Sequence, residues 1–239
     1  MSMRAPTVVR SFPVGSAAVR GLKRVGIAAL FGMAVVAAPG CQLIGGMAES
    51  ARRSGSSDVR NEYDGLEGKS FAVVVAADRS IQMEHPGLVE YLTNQITARL
   101  AESTNKPRAG GYVPPKQVLK LLYDNPALTL RPKSEIAKRL GGVERLVWVD
   151  LFEYRLHDAG NQYEWDGAAA GTVAVVEIDG PLPDDFAWEK GVNVKFPGKT
   201  GLGPGQMDRS LVTSALAKRF TDRASWLFYD HEEPNEIEY

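Results

Sequence analysis

Cysteine is almost absent from this sequence, with one residue, Cys41, in 239. A single thiol has no partner for an intrachain disulfide, and it cannot build a zinc site of several cysteines or an iron–sulfur cluster. The stability of the fold must therefore come from burial. The sequence is 44% hydrophobic, which is typical of a globular protein with a sizeable core.

Acidic residues are absent from the first 48 positions, where five basic residues occur. The whole chain carries 28 Lys plus Arg against 29 Asp plus Glu, but a cut after Gly40 leaves 23 against 29, a net charge of −6. A mildly acidic domain without a basic stripe offers little to a phosphate backbone. We therefore expect no nucleic-acid partner.

Long hydrophobic runs are also absent. The apolar run VGIAALFGMAVVAA is shorter than the roughly 20 residues that a membrane-spanning helix needs. It follows a basic segment and precedes small residues, which is the three-part pattern of a secretory signal peptide. We predict that residues 1–40 are such a signal.

The residues before the thiol, Ala38-Pro39-Gly40-Cys41, resemble the lipobox of bacterial lipoproteins. The resemblance implies that Cys41 is lipidated and becomes the first residue of a membrane-anchored protein facing the periplasm. Gln42, where some inner-membrane lipoproteins have aspartate, favours the outer membrane. Two alternatives stay open: an ordinary signal cut near Ala38, and a buried free cysteine that packs as a small apolar residue.

The remaining chain divides by composition into a tether, a domain and a tail. Residues 41–68 are rich in Gly, Ser and charge without a sustained apolar period, so we predict a flexible tether. Residues 69–231 carry periodic apolar positions and are predicted to form a single α/β domain. Residues 232–239 are predicted to be an acidic tail.

The periodicity within the domain predicts an α/β (α+β) fold with a mixed sheet of about five strands. The apolar run at 71–76 predicts a strand buried on both faces, and the apolar spacing at 88–100 predicts a helix. A short strand and two helices lead to a long strand at 143–156, so the first half should be parallel. Strands at 171–180 and 186–196 should form an antiparallel pair before a helix at 207–229.

The long strand at 143–156 suggests where a partner binds. Its first half is apolar throughout, whereas its second half alternates Phe152, Tyr154 and Leu156 with polar residues, so it should project beyond the sheet. The following loop, HDAGNQYEWDG, contains the candidate partner-contact residues Tyr163, Trp165 and Asp166, since exposed aromatics often anchor protein contacts. The alternative is that both rings pack back on the hairpin.

The element order from 70 to 229 resembles the anticodon-binding-like α/β fold of several envelope proteins. The resemblance rests on the stretches FAVVVA, PGLVEYLTNQITARL and IAKRLGGVERLVWVDLFEY. The group includes the curli-secretion lipoprotein CsgG, lipoprotein activators of penicillin-binding proteins and the N-terminal domain of the Tol-system β-propeller. None of these stretches is a catalytic signature, and the long hairpins of a curli-type pore are missing.

The candidate enzyme motifs lack the residues or the spacing that their chemistry requires. FPGKTGLGPG imitates the end of a P-loop, but Asn193 replaces its first glycine and the following Gly and Pro residues oppose a helix. His157-Asp158 lacks metal-site spacing to the other two histidines, so a turn is the better interpretation. Asp150 lies inside an apolar strand, where a buried carboxylate would need a partner, but an emerging strand explains it as well.

The sequence therefore predicts no catalytic residue, metal or cofactor. It favours a membrane-anchored, non-catalytic binding or adaptor module for another envelope component, a protein rather than a glycan. The alternative is a structural subunit that self-associates into a homo-oligomer through its sheet or its last helix. An enzyme without a recognisable motif is the least favoured hypothesis.

Overall fold

The computed structural model describes residues 55–102, 108–198 and 200–234. The predicted signal segment, Cys41 and most of the predicted tether lie outside these residues. The strands are β1 (Ser56–Val59), β2 (Ser70–Ala77), β3 (Gly111–Tyr112), β4 (Arg145–Arg155), β5 (Gly167–Glu177), β6 (Trp188–Phe196) and β7 (His231–Pro234). The α-helices are α1 (Arg79–Glu84), α2 (Leu88–Ala101), α3 (Pro115–Asp124), α4 (Lys133–Arg139) and α5 (Arg209–Trp226), and Pro126–Leu130 is a 3-10 helix.

Five strands form one mixed sheet in the order β3-β2-β4-β5-β6. The strand β2 pairs in parallel with both β3 and β4, whereas β4–β5 and β5–β6 are antiparallel. A parallel half followed by an antiparallel half is the predicted α/β architecture, and the structure confirms it. The short strands β1 and β7 form a separate two-stranded antiparallel ribbon.

Helices cover the two faces of this sheet unequally. The first face packs against α2 and α5 in the larger core cluster, which includes Phe71, Val149, Val173 and Phe220. The second face carries a smaller cluster under α3 and α4, which includes Trp148. The central strands β2 and β4 are buried on both faces where the two clusters overlap, which explains their continuous apolar sequence.

The far half of β4 departs from the predicted alternation. A β-bulge shifts its register with β5 between Leu151 and Glu153, so Phe152 is the extra residue. Tyr154 and Leu156 are buried as predicted, whereas Phe152 is 56% exposed. The expectation for Phe152 was wrong because one inserted residue breaks the two-residue period of a strand.

The folded part extends beyond both predicted limits. The ribbon pairs Ser56 with Pro234, although the sequence predicts a tether and an acidic tail at these positions. Tyr63 and Leu66 are buried in the larger cluster, and the backbone amide of Tyr63 donates a hydrogen bond to Leu227. The tether assignment is therefore wrong for 55–68, because pairing between strands far apart in sequence leaves no local apolar period.

In the part of the chain that the structure describes, no helix is both long and apolar enough to cross a membrane.

Candidate binding surfaces

The loop after β4 does not present Trp165 to solvent. The indole is only 5% exposed and is stacked on His157, with ring centroids 4.4 Å apart. Its Nε1 donates a hydrogen bond of 2.9 Å to the carbonyl of Met207. Trp165 therefore ties the loop to the segment before α5, and the expectation that its ring is exposed was wrong.

The neighbouring candidate residues are more accessible. Tyr163 is 87% exposed, and its hydroxyl forms no hydrogen bond within the described residues. Asp166 is partly exposed, and its carboxylate lies 3.5 Å from the guanidinium of Arg155. The structure thus separates an exposed tyrosine from a structural tryptophan two residues away. The role of Tyr163 and Asp166 in a partner contact stays a prediction.

The polar residues considered for chemistry have structural surroundings. Asp150 is exposed at the sheet surface, so its carboxylate needs no buried partner. The Nδ1 atom of His157 lies 2.8 Å from the carbonyl oxygen of Glu164, which fits the predicted turn. The described residues contain no group of three or more His, Cys, Asp or Glu side chains that could hold a metal ion.

A concave surface lies between the start of α2 and the first half of α5. This groove has a volume of about 660 Å³ and is lined mainly by apolar atoms. Its lining residues are Glu84, His85, Pro86, Gly87, Leu88, Tyr91, Arg209, Ser210, Thr213, Ser214 and Ala217. Gly87, with a φ of 88°, provides the left-handed turn that lets α1 and α2 form one wall.

His85 and Arg209 are the groove residues whose chemistry best suits a ligand, and neither side chain has a hydrogen-bond or salt-bridge partner among the described residues. The His85 ring is 9% exposed and packs edge-on against Tyr154, yet it makes no hydrogen bond to any described residue. Burial lowers the pKa of His85, and the positive charge of Arg209 lowers it further. The exposed guanidinium of Arg209 forms no salt bridge among the described residues. The groove thus combines apolar walls with an unpaired cation and a histidine that favours its neutral form.

Sequence patterns gave little warning of this groove. In the sequence His85 lacks metal-site spacing to the other histidines, and no motif singles out Arg209. Because α2 and α5 pack side by side on one face of the sheet, residues about 120 positions apart in sequence come together. The one available signal was the Pro86-Gly87 pair, which predicts a break in the chain before a helix.

A cluster of charged residues surrounds the start of β4 and has a structural role. The Arg145 side chain, 8% exposed, donates through Nε to the carbonyl of Gly65 and pairs with the carboxylate of Asp179. Lys69 bridges Glu144 at 2.9 Å and Asp179 at 2.7 Å. These bonds connect the segment before β2 to the ends of β4 and β5.

Comparison with solved structures finds distant similarity to several bacterial proteins. A single-substitution variant of the PelC dodecamer from Paraburkholderia phytofirmans is 11% identical with a TM-score of 0.40, covering 73% of this chain and 96% of the other. Lipoprotein GNA1162 from Neisseria meningitidis is 10% identical with a TM-score of 0.41, covering 64% and 99%. The LpoB C-terminal domain from Salmonella enterica is 14% identical with a TM-score of 0.34, covering 54% and 84%.

No protein-family model and no curated protein matches the sequence. The resemblance to the group that includes CsgG, the lipoprotein activators of penicillin-binding proteins and the Tol-system β-propeller domain stays a prediction.

Proposed function

We propose that the mature protein is a lipid-anchored component of the cell envelope that binds another envelope protein without catalysing a reaction. The anchor rests on the basic, apolar and small-residue pattern before Cys41. The binding role rests on the groove between α2 and α5. The periplasmic orientation and the preference for the outer membrane rest on the lipobox resemblance alone.

The chemistry of the groove indicates the partner segment that would fit. Its apolar walls suit an aliphatic or aromatic side chain, and its volume lies in the range of binding pockets. The unpaired Arg209 suits a carboxylate on the same segment. Glu84 also lines the groove, so that carboxylate has to bind at the Arg209 end. Exposed Tyr163 is a second candidate contact, outside the groove.

The groove gives the first test of partner binding. Full-length protein with Arg209→Glu should capture its envelope partner from detergent extracts at least tenfold less well, because the substitution places like charges together. Quantitative mass spectrometry of the captured proteins measures the effect. Arg131→Glu is the matched control, since Arg131 is an exposed arginine outside the groove whose reversal causes the same charge change.

Equal loss of capture in Arg209→Glu and Arg131→Glu would point to general electrostatics and contradict the groove as a site. Unchanged capture in both variants, with loss in Tyr163→Ala, would place the contact on the loop after β4. The melting temperature of each variant should stay within about 2 °C of wild type, since all three positions are exposed.

The anchor is tested separately. Cys41→Ser should abolish acylation and release or mis-process the protein, because serine lacks the thiol that the lipid modification requires. Intact mass and membrane fractionation measure the result. A variant with unchanged mass and unchanged fractionation would contradict lipidation and favour an ordinary signal cut near Ala38.

A further inference from the structure

The outer edge of β6 is the longest edge of the main sheet without a paired strand among the described residues. The strand has nine residues, and within the described part of the chain it pairs in this sheet with β5 alone. An edge of this length presents a row of backbone donors and acceptors, and it can pair with another chain. Glu62, in the segment after β1, forms a salt bridge of 2.8 Å with Lys190 of this edge. A cleft lies between β6 and the β1–β7 ribbon at Lys190–Asn193.

The direction of the backbone groups on β6 follows from one side-chain contact. The carbonyl of Lys195 accepts a hydrogen bond from Arg219 and so points away from β5. Backbone groups alternate along an antiparallel strand, so residues 189, 191 and 193 also direct their amides and carbonyls outward. These groups form no hydrogen bond to described residues beyond the edge. Most of the outward backbone amides and carbonyls of β6 are therefore available to pair with another strand.

The side chains of β6 alternate between the two faces of the sheet, and one face is buried in the second half of the strand. Val192, Val194 and Phe196 point into the larger core cluster. Glu189 and Lys195 are exposed on the opposite face, where they have no salt bridge within the described residues. The strand thus carries a negative charge near one end and a positive charge near the other, on the same surface.

We infer that β6 pairs antiparallel with β6 of a second copy of this chain about a two-fold axis at Val192, so that Glu189 of each copy faces Lys195 of the other. In this register Gly191 lies opposite Asn193, and Trp188 lies opposite Phe196. The self-complementary surface is the one that a closed two-fold dimer requires. The two sheets would then join into one continuous sheet.

The positions of Glu189 and Lys195 favour this register over registers whose axis is shifted by one residue. Moving the axis by one residue places Glu189 opposite Asn193 or Pro197, and the charge match is lost. Directly opposite residues on paired strands have Cβ atoms about 4.5–5.5 Å apart, so opposite charges there attract and like charges repel. A competing explanation is that the lysines of β6 keep the edge unpaired, as charged residues do on many edge strands. The two explanations predict opposite effects of reversing a charge.

The test measures dimerisation of the full-length protein in detergent by analytical ultracentrifugation. Glu189→Lys and Lys195→Glu each place two like-charge pairs across the axis, so each should weaken dimerisation by about tenfold or more. The double variant Glu189→Lys/Lys195→Glu restores both opposite-charge pairs and should return dimerisation to within about threefold of wild type. Lys116→Glu, an exposed reversal on α3, should have no effect.

Three results would contradict the proposed β6 dimer or its register. A wild-type protein that stays monomeric across the accessible concentrations overturns it. A dimer that neither single variant weakens must use another surface, which also overturns it. Loss in both single variants without recovery in the double variant shows a non-specific charge effect and overturns the proposed register. The result is independent of the groove, because Arg209→Glu should leave dimerisation unchanged.

Discussion

Trp165→Ala is expected to lower the free energy of unfolding by about 3 kcal/mol, which corresponds to a fall of roughly 10 °C in the melting temperature. The buried indole packs on His157 and donates a hydrogen bond to the carbonyl of Met207. The substitution removes the ring contact and leaves that carbonyl without its donor. It also loosens the connection between the loop after β4 and the segment before α5.

Two variants separate the contributions to this effect. Trp165→Phe keeps most of the ring volume but loses the hydrogen bond, so it should cost only about 1–2 kcal/mol. Tyr163→Ala removes a ring that is 87% exposed and should change stability by less than about 0.5 kcal/mol. Thermal unfolding followed by circular dichroism compares the three variants. A Trp165→Ala protein that melts with the wild type and loses its partner would support the original contact hypothesis instead.

Arg145→Met should destabilise the protein by about 2–3 kcal/mol, because it removes a buried cation that several oxygen atoms surround. The carbonyl of Gly65 loses its donor, and Asp179 keeps only its bond to Lys69. The loss is smaller than for a fully buried ion pair because water still reaches the carboxylates. Chemical denaturation at neutral pH measures it.

Arg139→Met is the matched control for this prediction. Its guanidinium pairs with Glu135 across one helical turn at the surface, and such pairs contribute only about 0.5 kcal/mol or less. A similar loss in both variants would mean that the cluster around Arg145 behaves as an ordinary surface network.

The same cluster predicts a pH dependence with a defined sign. Hydrogen bonds from Lys69 and then Arg145 lower the pKa of Asp179, and the Ser70 amide and Lys69 lower the pKa of Glu144. Carboxyl groups with a lowered pKa in the folded state stabilise it above their ordinary pKa of about 4, and this stabilisation is lost as the pH falls further. The stability difference between wild type and Arg145→Met should therefore shrink below about pH 4. A difference that stays constant down to pH 2 would contradict this account.

The sequence predicted the main elements because their signals are local. The apolar run in β2 and the helical spacing of α2 each lie within about 15 residues, and both elements were located correctly. The parallel and antiparallel halves of the sheet followed from the order of those elements. The bulge at Phe152 was missed because an inserted residue carries no signal in apolar periodicity.

The candidate surfaces were harder to predict because they depend on distant contacts. Tyr163 and Trp165 look alike in an alternating loop, and only the approach of Met207 distinguishes the buried ring from the exposed one. His85 and Arg209 meet only because α2 and α5 pack on the same face of the sheet. Short polar strands such as β1 gain their stability from a partner far along the chain, so their composition resembles that of a linker.

The sequence by itself determined the mixed α/β fold and the expectation of an export signal with a single candidate lipid attachment residue. Both follow from local order, namely periodic apolar residues in the domain and the succession of charge, hydrophobicity and small size before Cys41. The tertiary structure alone decided which aromatic residue is buried, where the groove forms and which edge of the sheet stays open. These features depend on contacts between residues far apart in sequence, and the packing of the folded chain sets them.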